Sequence, residues 1–307
     1  MGGDQIGNAS TPDLSAATKA GVLIESLEWI KRFHGKTIVV KFGGNAMVDE
    51  ALQSAFAEDM VYLRYAGVNP VVVHGGGPQI SAKLAELGVE SSFVGGYRVT
   101  TPETISVVRD VLSGTISHDL VREINRHAPA DLALAVAISG EDHGLFSGRK
   151  RGAMVEGELR DLGLVGDVIA VNPSAVLAAL AAGQIPVVAS ISPDIDVPGQ
   201  SLNVNADSAA ASLAVALGAA KLVILTDVAG LYSDWPKRDS LVSQINVAEL
   251  RALLPSLESG MIPKMAACLE AVEGGVGKAA IIDGRIPHSI LLEIFTNSGS
   301  GTEVVSA

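Results

Sequence analysis

The sequence predicts an α/β fold: a mainly parallel sheet sandwiched between helices, in two lobes, with an extra helix at the N-terminus. Three observations carry this. Near-continuous Val/Ile/Leu runs, typical of strands buried on both faces, alternate with apolar stripes at helical spacing. Two of these runs break into glycine clusters, Gly43-Gly44 and Gly75-Gly76-Gly77. A stretch rich in Pro, Asp and Gly at 191–200 suggests a connection between two lobes.

The elements follow in order. Residues 1–12 are small and polar and are expected to form a loose end. Over 14–33 a helical stripe of Ala20, Leu23, Ile24, Leu27 and Ile30 appears, with Trp29 and Phe33 beside it. A helix this long ahead of the first strand packs either on its own domain or on a partner chain. Strands are expected at 37–42, 69–74, 132–138, 166–171, 185–190, 222–226 and 279–283. Between them, Leu52, Phe56, Met60 and Leu63 mark one helix, and Ile105, Val108, Leu112, Ile116 and Leu120 another. A helix over 175–182 is opened by Asn172 as N-cap and Pro173 at the first helical position. Further helices are expected at 207–217 and 263–272, and the charged, glycine-rich 146–165 as hairpins or a flap. The domain division expected is 1–35 for the tail and first helix, 36–195 for an N-terminal lobe and 196–307 for a C-terminal lobe.

Composition narrows the function. At 307 residues, 48% hydrophobic and 18% charged, the chain can bury a sizeable core and is not generally disordered. Its longest apolar run, 175–182, ends at Gly183, far short of the roughly 18 residues a membrane span needs. The opening Met1-Gly2-Gly3-Asp4-Gln5-Ile6 has no basic or apolar signal region, and Ile6 stands where a myristoylation motif requires Ser or Thr. A single cysteine, Cys268, excludes an intramolecular disulfide and a cysteine-rich metal site, and a cytoplasmic location is expected. A net charge of -12 argues against nucleic acid as a partner. An acidic protein that handles anions must therefore concentrate its cations locally.

The glycine clusters are where it does so. The strand at 37–42 delivers Lys41 into Gly43-Gly44, and Val71-Val72-Val73-His74 runs into Gly75-Gly76-Gly77-Pro78. Without side chains, successive N–H groups can close on an anion. A helix over 79–87, with Gly88 as its C-cap, follows the second cluster, and its dipole adds to the attraction. Two such turns, one carrying a lysine, look like a device for holding phosphoryl oxygens. Gly35-Lys36-Thr37 is a decoy: a P-loop needs glycine where Ile30 stands, and here a strand follows instead of a helix. No dinucleotide fingerprint, nucleophile elbow or metal-binding histidine spacing occurs.

Other polar residues stand at element ends. Asn203, Asn205 and Asp207 open a helix; capping is the plain reading, and two amides with a carboxylate in a cleft the functional one. Asp227 ends a strong strand before Gly230, Leu231 and Tyr232. Ser259 and Gly260 precede Lys264, a cation in the first turn of a helix, where the dipole disfavours it unless an anion binds. Arg98 sits beside Gly95-Gly96, its planar fork suited to a carboxylate.

Taken together, Lys41-Phe-Gly-Gly-Asn-Ala, His74-Gly-Gly-Gly-Pro, Gly96-Tyr-Arg98-Val-Thr, Leu202-Asn203-Val-Asn205-Ala-Asp207, Thr226-Asp-Val-Ala-Gly230-Leu-Tyr and Gly260-Met-Ile-Pro-Lys264 resemble the amino-acid kinase family over 37–305. The Gly-Tyr-Arg-Val-Thr and Asn-x-Asn-Ala-Asp segments point within it to the acetylglutamate kinases. The resemblance implies the amino-acid kinase fold and ATP-dependent phosphorylation of N-acetyl-L-glutamate, the second step of arginine biosynthesis, with Mg2+ supplied by ATP. It also implies roles. Lys41 and Lys264 stabilise the transferring phosphoryl group, and Asp207 holds both lysines. The turns with Gly43, Gly44 and Gly75 bind phosphate. Gly76, Gly77, Arg98, Asn203 and Asn205 bind acetylglutamate. Asp227, Gly230, Leu231, Tyr232, Ser259 and Gly260 line the nucleotide site. The helix at 14–33 resembles one that interlaces dimers into a hexameric ring in arginine-sensitive members. The segment from Asp283 through Glu293 and Gly299 resembles their effector site, with Glu293 as the partner for arginine. Glutamate 5-kinase, aspartokinase and aminoadipate-carrier kinases share the lysine and glycine turns. A non-catalytic sensor domain, as in some acetylglutamate synthases, would be expected to have lost Lys41, Asp207 and Lys264.

Overall fold

The computed structural model describes residues 15–155, 157–234, 236–297 and 299–306; Leu14 and the tail expected at 1–12 lie outside them. Helix α1 (Ala16–Phe33) is capped by Ser15, whose hydroxyl accepts the Thr18 N–H. The core then alternates: β1 (Thr37–Phe42), α2 (Glu50–Tyr65), β2 (Asn69–His74) and α3 (Gly77–Glu86). Both strands keep their expected bounds. Gly88, φ +73°, lies one residue beyond the Leu87 cap of α3. A two-residue hairpin, β3 (Phe93–Val94) and β4 (Tyr97–Arg98), follows.

The single helix expected through 105–120 is interrupted. Helix α4 (Ile105–Arg109) widens into a π-helical turn over Asp110–Ile116 before α5 (Ser117–Arg126) resumes. β5 (Ala135–Ser139) starts three residues later than expected. The segment at 166–171 is not part of the parallel sheet. It belongs to β7 (Glu158–Val171), which forms with β6 (Phe146–Val155) the long antiparallel hairpin anticipated for the flap. Helix α6 (Ser174–Ala181) lies within one residue of the expected 175–182, but Pro173 takes the cap position in place of the first helical one, and the Asn172 side chain accepts the Ser174 N–H. After β8 (Ile185–Ala189), the stretch at 191–200 forms an antiparallel pair of β9 (Ile191–Pro193) with β10 (Ser201–Val204). Then come α7 (Ala206–Ala216), β11 (Lys221–Thr226), β12 (Gln244–Asn246), α8 (Val247–Leu253), α9 (Ile262–Glu273), β13 (Lys278–Asp283), α10 (Ser289–Phe295) and β14 (Thr302–Val305).

Among the described residues, eight strands make the main sheet in the order β12-β14-β13-β11-β1-β2-β8-β5. From β13 to β5 all pairings are parallel, and β14 runs antiparallel to β13. β6, β7, β10 and β9 form a second sheet. The main sheet is continuous across the expected lobe boundary at 195/196. Alternation along β1 divides its side chains between two cores. Ile38, Val40 and Phe42 join the layer with α2, α3 and α5, while Val39 joins the layer with α7 and α9. Lys41 therefore points to the α7 side.

Helix α1 does not bury its stripe on its own chain. Leu23 and Ile24 are 68% and 69% exposed, Leu27 is exposed too, and only Phe33 of the apolar set is buried. No helix among the described residues is long and apolar enough to cross a membrane.

Candidate active site

The C-terminal ends of the parallel strands converge where open α/β sheets bind ligands. There Lys41, at the end of β1, meets Asp207 in the first turn of α7, with Nζ 2.9 Å from Oδ1. Lys264, in the first turn of α9, reaches the other oxygen at 3.8 Å and donates to the Gly260 carbonyl at 3.3 Å. Asp207 and Lys41 are buried. Burial alone would push the Asp207 carboxyl up, but the Lys41 and Lys264 ammonium groups outweigh it and hold the group below the usual carboxylate range. The Lys41 contact is an ion pair off the hydrogen-bond direction, because Oδ1 has no directed donor of its own. The result is a fixed anion that holds two cations which ligand oxygens can still reach.

The glycine turns wrap this pair. A Cβ on Gly43 would lie 2.7 Å from Lys41 Nζ, so the missing side chain is what lets the ammonium lie over the turn. Gly44 has φ +73° and packs against the Asp227 carboxylate. A Cβ on Gly76 would strike Ile116 Cδ1 at 2.3 Å, whereas one on Gly77 would meet open space. His74 is structural. It is fully buried, its Nε2 2.9 Å from Ser117 Oγ, and burial pushes it down to about 4.

A cavity of about 290 Å³ opens over the lysines, lined by Lys41, Lys264, Asp207, Gly43, Gly44, Gly75, Gly76, Gly77, Arg98, Asn203 and Asn205. Eleven residues expected to act at the reaction thus surround one space. Arg98 is buried, stacked 4.7 Å over Phe93, and donates to the Gly77 carbonyl at 2.8 Å, to Ser81 Oγ at 2.7 Å and to Ser91 Oγ. Asn205 caps α7, accepting the N–H groups of Asp207 and Ser208, so the plain reading of this residue holds alongside its place in the wall. Tyr97 of the Gly-Tyr-Arg-Val-Thr segment also lines the cavity, as do Phe93 and Ser190, which no sequence motif marks. Ser190 follows the end of β8, a position that strand topology flags and local sequence does not.

A second cavity, of about 260 Å³, is lined by Gly230, Leu231 and Tyr232, with Val228, Leu253, Leu257 and Met261 adding apolar walls. Ser259 and Gly260 are not among its lining residues; their neighbours Glu258 and Met261 are. Asp227 stands instead at the Gly44 turn. Glu293 and Gly299 lie away from both. They line a third cavity, of about 260 Å³, whose wall includes Trp29, Arg32 and Phe33 of α1. Glu293 is buried, paired to Lys221 at 2.7 Å, and accepts the Ser300 N–H at 2.8 Å.

The chain is similar to several known proteins. The acetylglutamate kinase of Leifsonia xyli subsp. xyli is 72% identical over 290 residues, covering 94% of this chain and 95% of that protein. That of Saccharopolyspora erythraea is 61% identical over 293 residues, covering 95% of each. Among solved structures, the N-acetylglutamate synthase of Neisseria gonorrhoeae with coenzyme A and N-acetyl-glutamate matches at TM-score 0.80 and 24% identity. The match covers 94% of this chain but only 63% of that longer one. Carbamate kinase from Giardia lamblia bound to AMP-PNP matches at TM-score 0.63 and 19% identity, covering 89% of this chain and 99% of that one. At these identities the structural likeness is one of fold. The profile of the Amino acid kinase family matches residues 36–283, and the chain belongs to that family.

Proposed function

We infer that this chain transfers the γ-phosphoryl group of ATP to the γ-carboxylate of N-acetyl-L-glutamate, giving N-acetyl-L-glutamyl 5-phosphate in arginine biosynthesis. The observation that carries the reading is the convergence of Lys41 and Lys264 on buried Asp207 in a cavity that also holds Arg98 and Asn203. Phosphoryl transfer asks mainly for positioning and charge neutralisation. The lysines and the turn N–H groups at Gly44 and Gly76 provide both. The acceptor is already a carboxylate, so no general base is required, and the neutral, buried His74 takes no part. Arg98 and Asn203 would hold the α-carboxylate and acetamido end, with the second cavity for the nucleotide. Mg2+ would come chelated by ATP, where it screens the phosphate charge, and Asp207 is tied to two ammonium groups. Assay of purified protein with Mg-ATP and, in turn, acetylglutamate, glutamate and aminoadipate tests the reading. Turnover on acetylglutamate alone is expected; preference for either other acceptor overturns it.

We further propose that the protein is a homodimer assembled into a trimer of dimers through α1, with arginine as a feedback effector. The exposed Leu23, Ile24 and Leu27 stripe supports the first part. The cavity shared by α1 with Glu293 and Gly299 supports the second, since a guanidinium or amino group there would join a network of alternating charges, Lys221, Lys278, Glu293 and Glu303.

A further inference from the structure

Thr100 is fully buried and stands behind the wall of the reaction cavity. Its backbone is held by the flap: its N–H donates to the Leu162 carbonyl at 3.0 Å, and its carbonyl accepts the Leu164 N–H at 2.6 Å. Gly163, between those partners, has φ +73°, and a Cβ there would lie 2.2 Å from the Thr100 oxygen. This close approach fixes the hydroxyl between two cavity residues. It donates to the Arg98 carbonyl at 3.2 Å and accepts from Asn203 Nδ2 at 3.1 Å.

The direction of that second bond matters. A hydroxyl carries one proton. With the proton on the Arg98 carbonyl, Thr100 can face Asn203 only as an acceptor, and Asn203 must turn its NH2 toward it. The carbonyl branch of the amide, with the second N–H, is what remains for the cavity.

We propose that Thr100 is a positioning residue that sets the orientation of the Asn203 amide, so that the site receives a ligand whose N–H lies beside a carboxylate. The N–H meets Asn203 Oδ1 and the carboxylate meets the remaining amide proton and Arg98. This rests on the reading of the cavity as the acetylglutamate site.

The test compares Thr100→Val, which keeps the shape and removes the hydroxyl, with Thr100→Ser, which keeps the hydroxyl. The loss of one hydrogen bond predicts a rise of about tenfold in KM for acetylglutamate in Thr100→Val, with KM for Mg-ATP unchanged. Thr100→Ser should restore the acetylglutamate KM. In an Asn203→Ala background, Thr100→Val should add nothing further. Thr100→Ala serves in its place if the valine protein does not fold. An unchanged acetylglutamate KM overturns the proposal, as does an equal rise for both substrates or the full effect persisting without Asn203. A wild-type protein inactive on acetylglutamate overturns the substrate reading as well, whereas an active wild type with an indifferent Thr100→Val overturns this proposal alone.

Discussion

The Lys41 ammonium stands 2.9 Å from Asp207 Oδ1, joining the end of a central strand to the first turn of α7 with both groups buried. The two sides of this pair fail differently when removed. Lys41→Ala leaves Asp207 with Lys264 as counter-ion, so the fold should persist while turnover falls by about 10²–10³, or about 2.7–4 kcal/mol of barrier. Asp207→Ala leaves a buried lysine without its partner and should also cost about 3–5 kcal/mol of stability. Denaturant unfolding beside kcat separates them, and a Lys41→Ala enzyme at near wild-type rate would remove Lys41 from the chemistry.

A glycine with no chemistry of its own should be nearly as sensitive. In Gly43→Ala the new methyl would sit 2.7 Å from Lys41 Nζ, the far end of a flexible side chain. The ammonium can move aside, so unfolding should change little while kcat drops at least tenfold. A variant with intact kcat would show that the position of the ammonium over the turn is not needed.

Acid should act on two buried groups in opposite directions. His74, held down to about 4 by burial against an unfolded value of 6.5, withdraws stability as pH falls from 6.5 toward 4. Asp59, raised by burial to about 6 despite its 2.7 Å contact with His288, lends stability over nearly the same fall, from 6 toward 3.8. Each shift amounts to about 3 kcal/mol, so the two largely offset. Asp59→Asn removes one side: it should be the more stable protein at pH 7 and lose that lead by pH 4.5. Equal pH slopes for variant and wild type in urea unfolding would contradict this.

Deleting residues 1–34 removes the exposed stripe of α1 and one wall of the third cavity. Solution mass should fall from hexamer to dimer, and inhibition in an arginine titration should weaken. A truncated chain with unchanged mass and response would leave α1 with neither role.

How much of this is legible in sequence depends on where the determining contacts lie. β1 and β2 can be bounded to the residue, because both faces are buried and glycines stop them. Lys41, Lys264 and Asp207 can be named because strand ends and helix starts are local signals. The second sheet cannot be read this way: β6 and β7 are rich in charge and glycine, and β9 and β10 span only three and four residues. The hairpin of β6 and β7 can be anticipated, but its length into 166–171 and its pairing with β10 and β9 are decided by tertiary contacts. Thr100 stands in the Gly-Tyr-Arg-Val-Thr segment, but its role is invisible for the same reason, since its partners Leu162 and Asn203 lie far away in the chain. The stripe of α1 is legible, but its direction is not, because periodicity marks a face without saying what covers it.

The π-helical turn at Asp110–Ile116 makes the length of this segment a matter of phase. It supplies Leu112 and Ile116, which fill the space a Gly76 side chain would need, and delivers Ser117 to His74 at 2.9 Å and Asn125 to the Ala135 N–H at 2.8 Å. Its i→i+5 bonds fit one more residue into the turn than an α-helical turn holds, so α5 leaves it with its inward face in phase with α4. A one-residue deletion there would be absorbed as an ordinary α-helical turn and keep Ser117 and Asn125 on the sheet, whereas a one-residue insertion would turn all of α5 by about 100°. Length changes of opposite sign in this segment therefore have unequal consequences for the floor under the glycine turn.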